Sequence, residues 1–266
     1  MSTLTSCPKF SGTMTSLIGI EFLKLRRSRI FFILLIPALM MWLPAVINAG
    51  ASFQTEEISI LPEYNFFIQG FMGMSWFMIP ATAVICTVLL NQTERIGRGA
   101  LKMLSLPVST RRICLAKFLV LIVLLALQML LSLLCYYGSA LIASSAENYN
   151  FLLSLPYACL QAARIYLAVI PMAAVFWMLA VLIRTPVLSA GIGLFSIAPS
   201  VLFLNTRFWA FYPMDYSFYM LMTEYGRKAE GIFTDKIQWL PLLPVAFAIT
   251  LICLGISCTR FGKSEI

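Results

Sequence analysis

Residues 113–140 read ICLAKFLVLIVLLALQMLLSLLCYYGSA, and Lys117 is the single charge among them. A helix of roughly 20 mostly apolar residues crosses the ~30 Å hydrocarbon core of a bilayer, and this run is longer than that. Its reading fixes the solvent of the whole chain. Similar runs lie on both sides of it, at residues 30–49, 71–91, 165–183, 187–204 and 239–258, so the sequence predicts six spans. In lipid each span must satisfy its backbone polar groups internally, which selects helices. The third run reaches as far as Ala143, and residues 151–164 read either as an interfacial helix or as a tilted extension of the fourth span.

Composition agrees. Of 266 residues, 61% are hydrophobic and 11% charged, more apolar side chain than a soluble domain of this length hides from water. The formal charge of +8 is segregated along the chain. With the N-terminus in the cytosol, the inner segments hold Lys9, Lys24, Arg26, Arg27 and Arg29, then Arg95, Arg98, Lys102, Arg111, Arg112 and the membrane-edge Lys117, then Arg184, Arg260 and Lys263. The outer loops after spans one and three hold Glu56, Glu57, Glu63 and Glu147 without Lys or Arg. Cytoplasmic loops retain the positives, so both termini are placed inside. One outer segment departs from this bias. Residues 205–238 carry Arg207, Arg227, Lys228 and Lys236 against Asp215, Glu224, Glu230 and Asp235, among many aromatics, and predict short helices at the outer headgroup level.

Several chemistries are excluded or weakened. The chain has no histidine, so Ser-His and Cys-His nucleophile pairs and His-ligated metals cannot be built from it alone. The seven cysteines are scattered, without a C-x-x-C pair, and read as apolar packing residues. A cleaved signal before Ala49-Gly50-Ala51 is the rival to a first span, but the charged region ahead of it is too long and the run is of span length. Glu56-Glu57 suggests a membrane protease only superficially, because both residues fall in an outer loop. Phe261-Gly262-Lys263-Ser264 echoes the end of a phosphate-binding loop, yet the preceding Gly255 is out of register and no strand precedes it.

Two cytosolic segments are candidates for function. In the first, Met14, Ile18, Phe22 and Leu25 recur at helical spacing while Glu21, Lys24 and Arg27 fall on other faces, the pattern of a helix lying in the inner interface. In the second, Arg95, Arg98 and Lys102 form a basic face and Ile96, Ala100 and Met103 an apolar one, with Pro107 ending the helix. A short amphipathic helix of this kind either docks in a groove of a soluble partner or is a solvated, positive loop. Arg164, close to the interior of span four, is a candidate contact for substrate or for lipid headgroups.

The run Glu21-Phe22-Leu23-Lys24-Leu25-Arg26-Arg27-Ser28 resembles the E-x-x-K-x-(K/R)-(K/R)-S approach to span one in type-2 ATP-binding-cassette (ABC) exporter permeases. Glu94, the stretch Ala100-Leu101-Lys102-Met103-Leu104-Ser105-Leu106-Pro107-Val108-Ser109 and Lys117 are similar to that family's segment between spans two and three, although Arg98-Gly99 stands where the family often has Gly-Thr. The resemblance implies an all-α membrane protein: one transmembrane permease domain over residues 1–266, with an interfacial helix in 1–29, a cytosolic coupling helix in 92–112 and an outer aromatic segment in 205–238. It implies ATPase coupling through Glu94, Ile96, Arg98, Ala100, Met103 and Leu104, and an interfacial helix bearing Glu21, Phe22, Lys24, Arg26 and Arg27. Its expected partners are cytosolic ABC ATPase subunits, which bind the ATP and Mg, a second permease subunit, identical or related, and the lipid of a bacterial plasma membrane. No cofactor or metal on this chain and no catalytic residue are expected. Small bacterial members of the family serve lantibiotic or bacteriocin immunity or antibiotic export. A membrane partner or assembly subunit without transport would carry the same docking helix and is the alternative.

The topology is directly testable. On a Cys-free background, a cysteine placed at Glu147 should react with an impermeant thiol reagent from outside, and one at Arg98 only after permeabilisation; the reverse pattern overturns the orientation.

Overall fold

A computed structural model of the chain describes residues 14–25, 30–53, 60–95, 109–183, 185–229 and 237–264. Among the described residues there is helix and connecting loop and no strand, as the apolar runs require. Five helical stretches among the described residues are long and apolar enough to cross a membrane, 30–47, 62–92, 110–147, 155–182 and 239–261, and one shorter apolar helix accompanies them.

Helix α1 (Met14–Leu25) precedes α2 (Ile30–Ile47). Along α2 only the stripe Ile30, Leu34, Ala38 and Trp42 is buried, at intervals of four, while Phe31, Phe32, Ile36, Met40, Leu43 and Ile47 point outward. Such a helix has one protein-facing seam and an apolar surface that suits lipid. The outermost crossing helices, α2 and the C-terminal one, are the least buried, and the three between them are half-buried or more.

The second crossing is composite. Helix α3 (Pro62–Gly73) runs into a π turn (Met74–Met78) and then α4 (Ile79–Arg95), so the span expected at 71–91 begins nine residues earlier. Pro80 gives the reason for the π turn. In this turn the Ile79 amide bonds the Met74 carbonyl, five residues back. The next amide in that register belongs to proline, which has no N–H, so the Ser75 carbonyl loses its intrahelical donor. Ser217 replaces it from another helix: its Oγ donates to the Ser75 oxygen at 2.9 Å, in a buried position. Trp76 Nε1 likewise donates to Ser200 Oγ at 3.1 Å. Broken membrane helices persist where neighbours re-satisfy the freed backbone in this way.

Helix α5 (Thr110–Glu147) is 38 residues long, or about 57 Å, and therefore projects well beyond a hydrocarbon core of ~30 Å. It ends at Asn148, whose left-handed φ of 51° closes helices and is tolerated by asparagine. The buried Tyr136 hydroxyl donates to the Phe151 carbonyl at 3.1 Å and accepts from the Leu153 amide at 2.9 Å, satisfying the non-helical link that follows. Trp42, Phe67, Phe71 and Tyr136 cluster there with ring centroids 4.7–5.3 Å apart for the closest pairs. A Cβ on Gly70 would lie 2.4 Å from Trp42 Cζ3, so only glycine lets the indole in.

Helix α6 (Leu155–Leu182) is continuous through Arg164, which makes residues 155–164 an extension of the fourth span. The stretch expected as a single fifth span, 187–204, is divided. Helix α7 (Pro186–Phe195) stops at a turn over 196–199, and α8 (Ser200–Leu204) adds one further turn of helix. Pro199 supplies no N–H and disfavours helical geometry at Ala198 before it, so the apolar run cannot continue as one rod. A 3₁₀ turn (Trp209–Phe211) leads to α9 (Tyr216–Lys228) and α10 (Trp239–Ser264). Helix α9 is not laid on a surface: Tyr216, Ser217, Phe218, Met220, Leu221 and Glu224 are buried, and it packs on α6, α3 and the π turn. The largest helix pairings are α6 with α10 and α2 with α5.

The Pro80–Ser217 relationship predicts a coupling between two distant positions. Ser217→Ala should destabilise the protein by about 1 kcal/mol, because it leaves a buried carbonyl unpaired. In a Pro80→Ala background, where the peptide N–H is restored, the same substitution should cost measurably less, read as a non-additive double-mutant cycle in thermal unfolding.

Candidate coupling site at one end of the bundle

The lysine inside the apolar run is the starting point. Lys117 lies two turns into α5 with its side chain fully buried. An ammonium there needs a counter-charge and acceptors, since an uncompensated buried charge is strongly unfavourable. Helix α1 provides the charge: Lys117 Nζ lies 2.9 Å from Glu21 Oε2. Helix α4 provides an acceptor in its last turns, the Leu90 carbonyl, at 3.1 Å. Lys24, one turn along α1 and partly exposed, closes on Glu21 Oε1 at 2.5 Å. Burial pushes the Glu21 carboxyl up, but Lys117 and Lys24 together pull it further the other way, so it lies below the usual glutamate value and is ionised.

This arrangement sets the orientation of α1. The buried stripe is Leu17, Glu21 and Leu25, at intervals of four, facing α5. Met14 and Ile18 are half-buried, and Phe22 is 37% exposed, so the apolar stripe read from spacing is rotated from the one the fold uses. Glu21, assigned to a polar face, is 3% exposed. Apolar residues surround this helix on nearly every side, with Leu17, Ile20 and Leu23 between those of the expected stripe, so periodicity alone does not choose a face. The ion pair does.

Further contacts tie the same end together. Asn91 Nδ2 donates to the Ala180 carbonyl near the end of α6. The buried Trp177 indole donates to Cys114 Sγ at 3.4 Å and stacks on Phe261 of α10. Four crossing stretches and α1 therefore meet where α4 ends and α5 begins. The chain leaves this end at Arg95 and returns at Ser109, so both anchors of the intervening segment are bonded through Lys117.

The family model for ABC-2 family transporter proteins matches residues 17–200, a stretch that contains Glu21, Leu90 and Lys117. The chain belongs to the ABC-2 transporter family. No curated protein and no solved structure gives a match. The family describes membrane components of transporters, which accords with the multi-pass helical architecture of this ABC-2 protein.

Of the residues singled out in the ABC-2 sequence, Glu21, Phe22 and Lys24 are placed as described. Arg26, Arg27, Ile96, Arg98, Ala100, Met103 and Leu104 lie outside the described residues, and Glu94 is described by its backbone only, in the last turn of α4. Arg164 is on α6 at the opposite end, with Nη1 3.8 Å from Glu224 Oε2 of α9. Asp215, immediately before α9, is fully buried; burial pushes its carboxyl up to about 8, so at neutral pH it carries a proton and avoids a charge-burial penalty. In the sequence Lys117 was visible as a membrane-edge positive and as the lysine that the family resemblance sets at the start of span three. A sharper signal was present: Glu21 is the only acid in the first 29 residues, hence one of very few partners within reach of a lysine inside an apolar run.

Removing one member of such a pair costs about 3–5 kcal/mol by leaving the other buried and unpaired. Glu21→Gln should therefore loosen α1 from α5, seen as faster amide exchange in α1, and the exchanged pair Glu21→Lys with Lys117→Glu should recover part of the protection. The Glu21 value is depressed, so its stabilisation is complete above the ordinary 4.5 and fades as pH falls through the lower folded value. Amide exchange in α1 should accelerate selectively in that acidic window in the wild type, and the acid-dependent step should be missing in Glu21→Gln.

Proposed function

We propose that this ABC-2 protein is the permease subunit of an ATP-driven exporter, working beside a second permease subunit and driven by separate cytosolic ABC ATPases that bind the ATP and Mg. The observation that carries this reading is the Glu21–Lys117–Leu90 junction. It fastens α1, the end of α4 and the start of α5 to one another, and residues 96–108 of the segment 92–112 connect the last two. A displacement applied to that segment by a docked ATPase would be passed to both attached spans and to α1 as one body, because a buried, hydrogen-bonded ion pair resists separation.

In this reading the junction faces the cytosol of a bacterial cell, supported by the distribution of lysine and arginine. The apolar face Ile96, Ala100 and Met103 enters a groove of the ATPase, with Glu94, Arg98 and Leu104 flanking it, and Arg26 and Arg27 hold α1 at anionic headgroups. A lantibiotic, bacteriocin or other amphipathic antibiotic as cargo rests on the resemblance to small bacterial family members alone.

Expressed with its gene neighbours and purified in detergent, the chain should carry an ATPase with vanadate-sensitive hydrolysis. Met103→Glu should abolish co-purification while leaving membrane insertion intact, because a charge would have to be desolvated against an apolar wall at a cost of several kcal/mol. Lys102→Ala, removing a solvated charge worth about 1 kcal/mol or less, should have little effect. An ATPase that binds but supports no movement of cargo would identify a non-transporting partner subunit; equal behaviour of the two variants would place the contact elsewhere.

A further inference from the structure

We propose that Arg164, Arg227 and Lys228 form a binding site for a phosphate-bearing anion, at headgroup level on the membrane face where α6 begins. Two arginines pair with one carboxylate there, and Lys228 lies one turn further along the same helix. Glu224 is buried: Oε1 accepts from the Tyr157 hydroxyl at 2.6 Å and from Arg227 Nη2 at 2.5 Å, and Oε2 faces Arg164 Nη1 at 3.8 Å. That last separation is too long for a hydrogen bond, so Arg164, 27% exposed, makes none among the described residues and has a free guanidinium fork. Lys228 has no carboxylate partner among the described residues; its Nζ sits 3.7 Å from the Tyr64 ring centroid and 5.2 Å from that of Tyr157. Among the described residues, the elements packed on α9 carry one acid, Glu63, beside Tyr64 in sequence, and it already accepts from the Tyr149 hydroxyl at 2.5 Å.

Among the described residues the cluster thus has three positive charges for one negative, with unspent donors on Arg164 and an outward-facing guanidinium on Arg227, 58% exposed. A phosphate satisfies this set in particular, since arginine forks match its oxygens in bidentate fashion and lysine adds a point charge. Glu224 serves as a positioning residue that holds Arg227 while leaving Arg164 to reach out.

The level of the site points to its source. Helix α6 has 28 residues, about 42 Å, against a ~30 Å hydrocarbon core. The apolar run of this helix, 165–183, begins just after Arg164, which sets that residue at the edge of the hydrocarbon core, at the level of lipid phosphates. A soluble phosphate group arriving from the aqueous side offers the same chemistry. The inference rests on the orientation proposed above only for the choice of the outer leaflet.

Binding is measured on the full-length chain without ATPase, so failure here leaves the permease reading standing. Native mass spectrometry in detergent micelles doped with phosphatidylglycerol or phosphatidylcholine should show one phosphatidylglycerol retained per chain in preference to phosphatidylcholine. Arg164→Gln and Lys228→Gln should each weaken that retention about tenfold; Lys228→Gln leaves the Glu224 contacts intact and guards against misfolding. Displacement of the lipid by millimolar inorganic phosphate would identify a soluble anion as a ligand of the same site, and resistance to it the lipid headgroup. Equal retention by wild type and both variants, or no retention of lipid or phosphate by the wild type, overturns the proposal.

Discussion

An ammonium buried in an apolar bundle must find its charge partner inside the protein, and much of this architecture follows from how Lys117 does so. Its position in the apolar run of α5 puts it beyond the reach of bulk water, and no loop in the same helix can supply an acid. The carboxylate therefore comes from α1, a helix too short to span a membrane, which is drawn against α5 with Glu21 turned inward. The second acceptor is a backbone carbonyl of α4, so the lysine joins three elements instead of two. A junction of this kind is poor as a source of net stability compared with apolar packing, but it has one geometry, and a single geometry is what transmission of movement needs.

The same demand, that nothing polar be left alone in the bundle, explains the irregular second crossing. Proline in the middle of a span removes a donor, and the helix answers with a wider turn and a hydroxyl borrowed from α9. The result binds α9 to the bundle interior. The α9 part of the aromatic segment thereby becomes internal structure, while Phe208 and Phe211 ahead of it stay exposed: Tyr157 bonds Glu224 of α9, and Ser217 and Trp76 bond across the same region. Asp215 completes the pattern by remaining protonated where it has no partner among the described residues.

The two ends of the molecule differ in how they treat charge. At the α1 end the buried lysine is matched by a carboxylate and a carbonyl, and the partly exposed Lys24 closes on the same carboxylate. At the other end one buried glutamate is paired with two arginines, both partly open to the outside, and Lys228 follows one turn later on the same helix. The first pattern is a fastening between helices. The second leaves charge available to something that is not part of the chain.

The sequence by itself determined the solvent, the helical class, most of the crossing segments and the family, because runs of twenty apolar residues and the Glu21-to-Ser28 and Glu94-to-Lys117 patterns are local signals. It marked Lys117, Glu21 and Arg164 as noteworthy one at a time. Their partners were decided by tertiary structure alone: 96 positions separate Glu21 from Lys117, and 142 separate Ser75 from Ser217. The face that α1 buries was illegible for a related reason. In a helix apolar on nearly every side, hydrophobic periodicity carries little directional information, and one ion pair with a buried lysine on another helix settles the rotation. The break at residues 196–199 lies between these cases, since Pro199 was visible, but whether a membrane proline kinks a helix, is bridged by a neighbour or ends it depends on what stands beside it, as the contrast with Pro80 shows.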